Sequence, residues 1–223
     1  MSRSDQAPAA ALVSGGLDSA ILCVDLLRDF ARVHPIYIRS GLRWEDAELA
    51  ALRRFLAEVG DDRIERPVVL EEPIADVYGA HWSTAGDGVP GAGTEDDAVY
   101  LPGRNLLLTI KASVWCRLRG IAPLALGSLG SNPFPDSTAE FFDGLEGILN
   151  RAMGGDIRLI RPFATLHKEE VLARGRDLPL HLTFSCIDPQ DGRHCGRCNK
   201  CAERKKGFRD AGMRDLTTYC DEH

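Results

Sequence analysis

The chain has 223 residues, 44% of them hydrophobic, and a formal net charge of −6. That length fits one α/β domain, or one domain with a small appendage, whose core needs no disulfides. The acidic balance argues against nucleic acid as a direct partner, and no apolar stretch is long enough to cross a membrane. The first ten residues read as a frayed end without the parts of a secretory signal, so a cytoplasmic location is expected. Residues 9–13 form a short apolar strand that runs into Ser14-Gly15-Gly16. Residues 18–30 read as a helix, 33–38 as a second strand, and 44–59 as a periodic helix closed by Gly60. A third strand is expected at 68–70. Residues 73–102 then lose periodicity and gather glycines, the mark of a lid, a binding loop or disorder. Residues 105–119 return to helix and 123–126 to strand. Ser137 with Glu140 reads as a capping box for a helix to Arg151. A strand at 157–160 and a helix at 167–176 precede a cysteine-rich end. Alternating strand and helix predict a parallel sheet with helices on both faces over 9–180, with a small zinc-binding segment at 181–223.

The loop Ser14-Gly15-Gly16-Leu17-Asp18-Ser19 lies between the first strand and the first helix. Paired glycines allow a tight turn and a close ligand approach. The helix start behind them offers unpaired N–H groups, a seat for phosphate, and the hydroxyls of Ser14 and Ser19 add donors. The Gly-Lys-Ser/Thr ending of a P-loop is missing. The loop resembles the pyrophosphate-binding loop of N-type ATP pyrophosphatases, which cleave ATP between the α and β phosphates.

Four of the seven cysteines, Cys186, Cys195, Cys198 and Cys201, fall within sixteen residues. Four thiolates at this spacing suit a closed, structural tetrahedral zinc site. An iron–sulfur cluster is the rival. His194 reads as a neighbour of the site, Cys23 and Cys116 as core. The basic run Lys200, Arg204, Lys205, Lys206 and Arg209 reads as a solvated helix face.

Together the two motifs resemble the 7-cyano-7-deazaguanine synthase family. The resemblance runs through Leu101-Pro102-Gly103-Arg104-Asn105-Leu106, Phe134-Pro135-Asp136, Arg161-Pro162-Phe163 leading to Lys168, and Ser185-Cys186 through Cys201 to Arg204, Gly207 and Phe208. It implies a Rossmann-like fold of the adenine nucleotide alpha-hydrolase type. It also implies ATP-driven conversion of 7-carboxy-7-deazaguanine, with ammonia, to the amide and then the nitrile, using Mg²⁺ and a structural zinc. Two segments depart from the family pattern. Asn132-Pro133-Phe134-Pro135-Asp136-Ser137-Thr138 stands in place of Gly-Tyr-Pro-Asp-Cys-Arg, and Leu42-Arg43-Trp44 in place of Gln-Arg-His. A relative that stops at the amide, or joins the acid to another amine, fits those departures.

In this reading Gly15, Gly16 and Ser19 hold pyrophosphate, and Asp18 either braces the loop or orients magnesium. Arg104 and Lys168 supply cations for the phosphates, Arg104 being placed at a helix start where the dipole gives it nothing. Arg43, Phe134 and Asp136 are the expected contacts to the acid substrate. Trp44, Trp82 and Phe134 can stack on a purine-like ring, with core packing as the default for each. An RNA-modifying enzyme with the same loop and a non-enzymatic zinc module are the competing classes. A homodimer would be ordinary for such a fold.

Overall fold

Ala9, Ala10 and Ala11 have no exposed surface. A strand that is apolar on both faces belongs between two layers, because its side chains point alternately to either side. In the computed structural model, which describes residues 7–220, strand β1 (Ala9–Leu12) is the centre of a five-stranded sheet. Strands β2 (Val33–Arg39) and β3 (Val68–Glu71) extend one side, β4 (Pro123–Leu126) and β5 (Arg158–Ile160) the other. The order is β3-β2-β1-β4-β5 and every pairing is parallel, with Ala9 opposite Val33 and Ala10 opposite Leu124. The strand order therefore reverses at β1, which opens a crevice at its carboxyl end. The frayed reading of the first ten residues fails at Ala9 and Ala10; positions 1–6 of that reading lie outside the described residues.

On one face pack α1 (Leu17–Asp25), α2 (Glu45–Val59), α7 (Lys168–Arg174) and α8 (Asn199–Asp210). Their Leu22, Leu52, Phe55, Leu172 and Phe208 share a core with Ala11, Tyr37 and Ala125. The opposite face is covered by α5 (Arg104–Arg117) and α6 (Ala139–Met153). There Leu108, Ala112 and Cys116 meet Ala10, Ile36 and Leu124. Cys23 and Cys116 are fully buried, and burial pushes both thiols up to about 12. They are core.

The helix ends follow local chemistry, with one correction. Gly60 closes α2 in the left-handed region at φ 61°, and its N–H donates to the Leu56 carbonyl. The cap of α6 is Thr138, not Ser137. Thr138 has the extended backbone a cap requires, and its Oγ1 accepts the Phe141 N–H at 3.1 Å. Ser137 ends a short 3₁₀ turn, Pro135–Ser137, with its hydroxyl turned inward.

The aperiodic stretch is an ordered strap. It holds two single-turn helices, α3 (Ala75–Tyr78) and α4 (Trp82–Ala85), and a 3₁₀ turn at Asp96–Val99. Hydrophobic patterning is lost here because the strap leans on the C-terminal segment and not on the sheet. Ala92 N–H donates to the Arg197 carbonyl, Asn199 N–H to the Pro90 carbonyl, and the Asn199 side chain to the Thr94 carbonyl, each at 2.9 Å. Val99 and Leu101 then join Trp44, Phe184 and the four clustered cysteines in a third core at the carboxyl edge of the sheet.

Candidate functional site

The crevice at the carboxyl end of β1 opens into a cavity of about 330 Å³. Its floor is the loop 14–19. Gly15 sits at φ +82°, and a Cβ there would lie 2.7 Å from the Glu48 carbonyl oxygen. Only glycine satisfies both constraints. Ser19 braces the turn: its Oγ accepts the Ser14 N–H at 3.2 Å and donates to the Gly16 carbonyl at 3.1 Å. Gly16 is the cap of α1, and among the described residues no side chain closes the helix start. The first-turn N–H groups thus face the cavity with the positive end of the helix dipole behind them.

Gly15→Ala should therefore cost about 1–3 kcal/mol of stability from backbone strain. It should also weaken nucleotide binding, because the loop must shift away from α2. Thermal melting with and without ATP reads both; an unchanged melting curve and ATP response would show that the loop tolerates a side chain.

A ladder of alternating charge crosses the cavity wall. Lys168 Nζ, at the start of α7, donates to Asp18 Oδ2 at 2.7 Å and to Glu203 Oε1 at 3.3 Å. Lys200 Nζ donates to Glu203 Oε2 at 2.6 Å. Burial alone would raise the Glu203 carboxyl, but the two ammonium groups outweigh it and hold it down at about 2. Burial would likewise lower Lys168, yet Asp18 and Glu203 keep its pKa above the ordinary lysine value. Asp18 Oδ1 is buried and has no hydrogen-bond partner among the described residues. A carboxylate oxygen left open beside an uncapped helix start suits Mg²⁺, which is commonly held by one or two carboxylates together with substrate phosphates.

The far wall is cationic and aromatic. Arg104 follows Gly103, which has φ +73°, and opens α5 with its Nε buried and without a partner among the described residues. Trp44 stacks on Trp82 with centroids 5.8 Å apart and planes at 18°. Phe134 leans on Tyr100 at 5.0 Å. All five residues line the cavity. Asp136 lines it too, accepting from the Asn105 backbone N–H at 3.1 Å and from the Asn105 side chain at 3.2 Å. It thus caps α5, a helix other than the one it precedes. Burial raises its carboxyl, and the bonds from Asn105 pull against that rise.

Two readings need correction. Arg43 does not reach the cavity wall; its Nη1 pairs with Asp188 at 3.0 Å and touches the Gly86 carbonyl. It ties the start of α2 to the cysteine segment. Arg204 is not on a solvated face. It is 1% exposed, bonded to Thr217 Oγ1, Thr183 Oγ1 and the Leu180 carbonyl at 2.8 Å each. Position explains it: Cys201, Arg204 and Phe208 recur at helical spacing on the buried side of α8.

The thiols of Cys186, Cys195, Cys198 and Cys201 lie within 4.8 Å of one another, all buried. The Cys186–Cys198 and Cys195–Cys201 sulfurs are 3.8 and 4.0 Å apart. Tetrahedral thiolates at about 2.3 Å from one ion would be separated by roughly 3.8 Å. Backbone N–H groups of Asp188 and Cys195 donate to Cys186 Sγ, and those of Arg197 and Cys198 to Cys195 Sγ. Gly196, at φ +86°, makes the turn between Cys195 and Cys198. The four residues form a metal-binding group. His194 stays outside it: Nε2 accepts the Ser185 N–H at 3.1 Å, and burial pushes the ring down to about 3.

The site also contains residues that sequence reasoning missed. Glu48, Lys200, Glu203 and Ser185 all face the cavity. Glu48 carried a usable signal, since with Leu52 and Phe55 it falls at i, i+4 and i+7 on the buried stripe of α2. A carboxylate on an apolar stripe is the informative exception.

With this geometry in place, comparison with known proteins is decisive. The model of the family described as queuosine biosynthesis protein QueC matches residues 8–212. The chain belongs to this family. A 7-cyano-7-deazaguanine synthase from Novosphingobium aromaticivorans is 34% identical, the match covering 95% of this chain and 94% of that protein. One from Thiobacillus denitrificans is 32% identical over 95% and 97%. Among solved structures, a predicted subunit of tRNA methyltransferase from Methanocaldococcus jannaschii superposes with a TM-score of 0.50 at 17% identity, covering 75% of this chain and 73% of that one. That likeness speaks for the fold alone. Among the described residues, no helix is long and apolar enough to cross a membrane.

Proposed function

We propose that this QueC-family enzyme adenylates the carboxylate of 7-carboxy-7-deazaguanine with ATP and passes the activated acyl group to ammonia. A carboxylate oxygen attacks the α-phosphorus and pyrophosphate leaves; ammonia then attacks the acyl carbon and AMP leaves, giving the amide. A second round activates the amide oxygen, and loss of AMP yields the nitrile. One observation carries the reading: a glycine-turned helix start shares a single cavity with the Asp18–Lys168 pair and with Arg104.

The chemistry asks for charge compensation before it asks for a base. Carboxylate and nucleotide are both anionic, and the acid is already ionised at neutral pH. The α1 start holds phosphate, while Lys168 and Arg104 offset charge that grows in the transition state. Asp18 would hold Mg²⁺, which supplies Lewis-acid polarisation when bound. The Trp44–Trp82 and Tyr100–Phe134 pairs offer apolar faces to flat rings, and Asp136 offers acceptors to guanine-like N–H groups. The four cysteines would hold zinc in a closed, structural site, because protein sulfur fills every position. A cluster of several irons needs its thiolates spread further apart than one ion does.

The test is mass spectrometry of purified enzyme with ATP, Mg²⁺, ammonium and the acid. AMP together with the nitrile supports the full reaction. AMP with the amide alone would confine the enzyme to one round, an outcome that fits the departures at Asn132-Pro133-Phe134 and Ser137-Thr138. No acid-dependent AMP would overturn the reading.

A further inference from the structure

Forming the amide from ammonia and an acyl adenylate releases one proton, and taking the amide nitrogen to the nitrile releases two more, one as the amide oxygen is adenylated and one as AMP leaves. A group in the cavity must accept them, and most of the cavity's carboxylates are already engaged. Asp18 and Glu203 are bound to ammonium groups. The Asp136 carboxylate is committed to the start of α5, accepting from the Asn105 backbone N–H and from its side chain. Glu48 is different. It lines the cavity from α2, is 7% exposed, and its Oε2 accepts one hydrogen bond, from the Tyr37 hydroxyl at 2.9 Å. Among the described residues, no lysine or arginine is bonded to it.

We propose that Glu48 is the catalytic base of the nitrogen steps. As the C–N bond forms and the C–O bond to AMP breaks, its carboxylate takes a proton from the attacking nitrogen. In the second round one N–H proton leaves as the amide oxygen is adenylated, and Glu48, returned to carboxylate by proton exchange with solvent, takes the other as the activated oxygen departs with AMP and the third C–N bond closes. This assignment rests on the adenylation reading above and adds to it the residue that moves protons. Backbone placement supports it: the Glu48 carbonyl abuts Gly15, which sets this turn of α2 against the loop 14–19, and Glu48 lines the same cavity as Gly16, Leu17 and Asp18.

Surroundings tune the group for this task. Burial raises the Glu48 carboxyl to about 8, against the pull of Arg104 on α5 and of the Tyr37 hydroxyl on β2, with Glu45 one turn earlier on α2 raising it further. A base near the working pH combines a populated deprotonated form with real proton affinity. Product formation should therefore rise with pH toward a midpoint near 8. The same raised value means the folded state binds this proton more tightly than the unfolded chain. Stability contributed by Glu48 is thus present below the ordinary glutamate range and lost as pH climbs through about 8.

The test separates the half-reactions in Glu48→Gln, whose amide oxygen can still accept from Tyr37. Acid-dependent ATP–pyrophosphate exchange reports adenylation, and amide plus nitrile report nitrogen transfer. Product formation should fall about 100- to 1,000-fold further than exchange, and the rising limb near pH 8 should vanish. The variant should also melt higher than the parent at pH 8. Equal losses in exchange and product, or an unchanged pH profile, would overturn the assignment. Should Glu48→Gln fold poorly, Glu48→Asp serves: a retained but displaced rising limb supports the base, and a pH profile identical to the parent's overturns it. Absence of exchange in the parent would defeat the adenylation reading itself, a result distinct from any Glu48 effect.

Discussion

Cys198→Ser is expected to empty the metal site, lower the melting temperature by on the order of 10–20 °C, and abolish activity. Cys198 is the cap of α8 and one of four buried sulfurs, so its loss removes a ligand at the point where the segment enters the helix. The binding free energy of a structural metal is also folding free energy, about 10–16 kcal/mol in small metal-dependent domains. This chain has a sheet core as well, so a fraction of that, about 5 kcal/mol, converts to the stated shift at 2–4 °C per kcal/mol. Activity should follow because the same segment carries Ser185, Lys200, Glu203 and Arg204 into the cavity wall. The strap would loosen too, since Pro90, Thr94 and Ala92 bond to Asn199 and Arg197. Metal analysis should find one zinc per parent chain and none in the variant. Cys220→Ser is the control: Cys220 lies outside the four-sulfur group and should keep both metal and melting point. A parent without metal, or a Cys198→Ser protein that melts with it, would sink the idea.

The architecture was legible because strand and helix periods dominate wherever the chain packs on the sheet. Residues 123–126 and Gly60 fell where expected, since an apolar run and a left-handed closing glycine are local signals. The strap was not legible for a physical reason. Its anchors are Ile74, Ser83, Val99 and Leu101, irregularly spaced, and its hydrogen bonds run to a segment about a hundred residues away. Periodicity reports burial against a regular layer, not against a metal-centred loop.

The site divides along the same line. Loop 14–19 and the cysteines announce themselves, because each needs particular residue types at fixed spacing. Lys168 and Arg104 were placed by resemblance, and the structure puts both on the cavity wall. Arg43 and Arg204 misled for opposite reasons. Arg43 lies in a segment that borders the cavity yet turns to Asp188, and its partner lies 145 residues away in the chain. Arg204 hides in a basic run, although its place between Cys201 and Phe208 marks it as buried. Glu48 went unread because an acidic residue near a helix start is usually solvated.

Lys168→Met tests the ladder that joins three helices. The substitution keeps most of the length of the side chain and removes its charge, leaving Asp18 and Glu203 to repel each other and any bound phosphate. AMP formation should fall about 100- to 1,000-fold, the cost of removing one fixed donor from developing charge. Stability at pH 7 should fall by about 1–2 kcal/mol, the worth of charged hydrogen bonds discounted for the partial exposure of Glu203. The sign of the pH dependence follows from Glu203, held down at about 2 in the folded state by Lys168 and Lys200. A carboxyl lowered on folding contributes stability above its unfolded value, and that contribution fades as pH falls toward 2. The gap between parent and variant should therefore be widest near neutrality, begin to narrow below about pH 4.5 and close toward pH 2. If AMP formation survives in Lys168→Met while the stability gap appears as described, Lys168 only fastens α7 to α1 and α8. The charge facing the phosphates would then come from Arg104 and the start of α1. If the two effects appear together, the ion pair that holds the helices in register is also the one that meets the nucleotide.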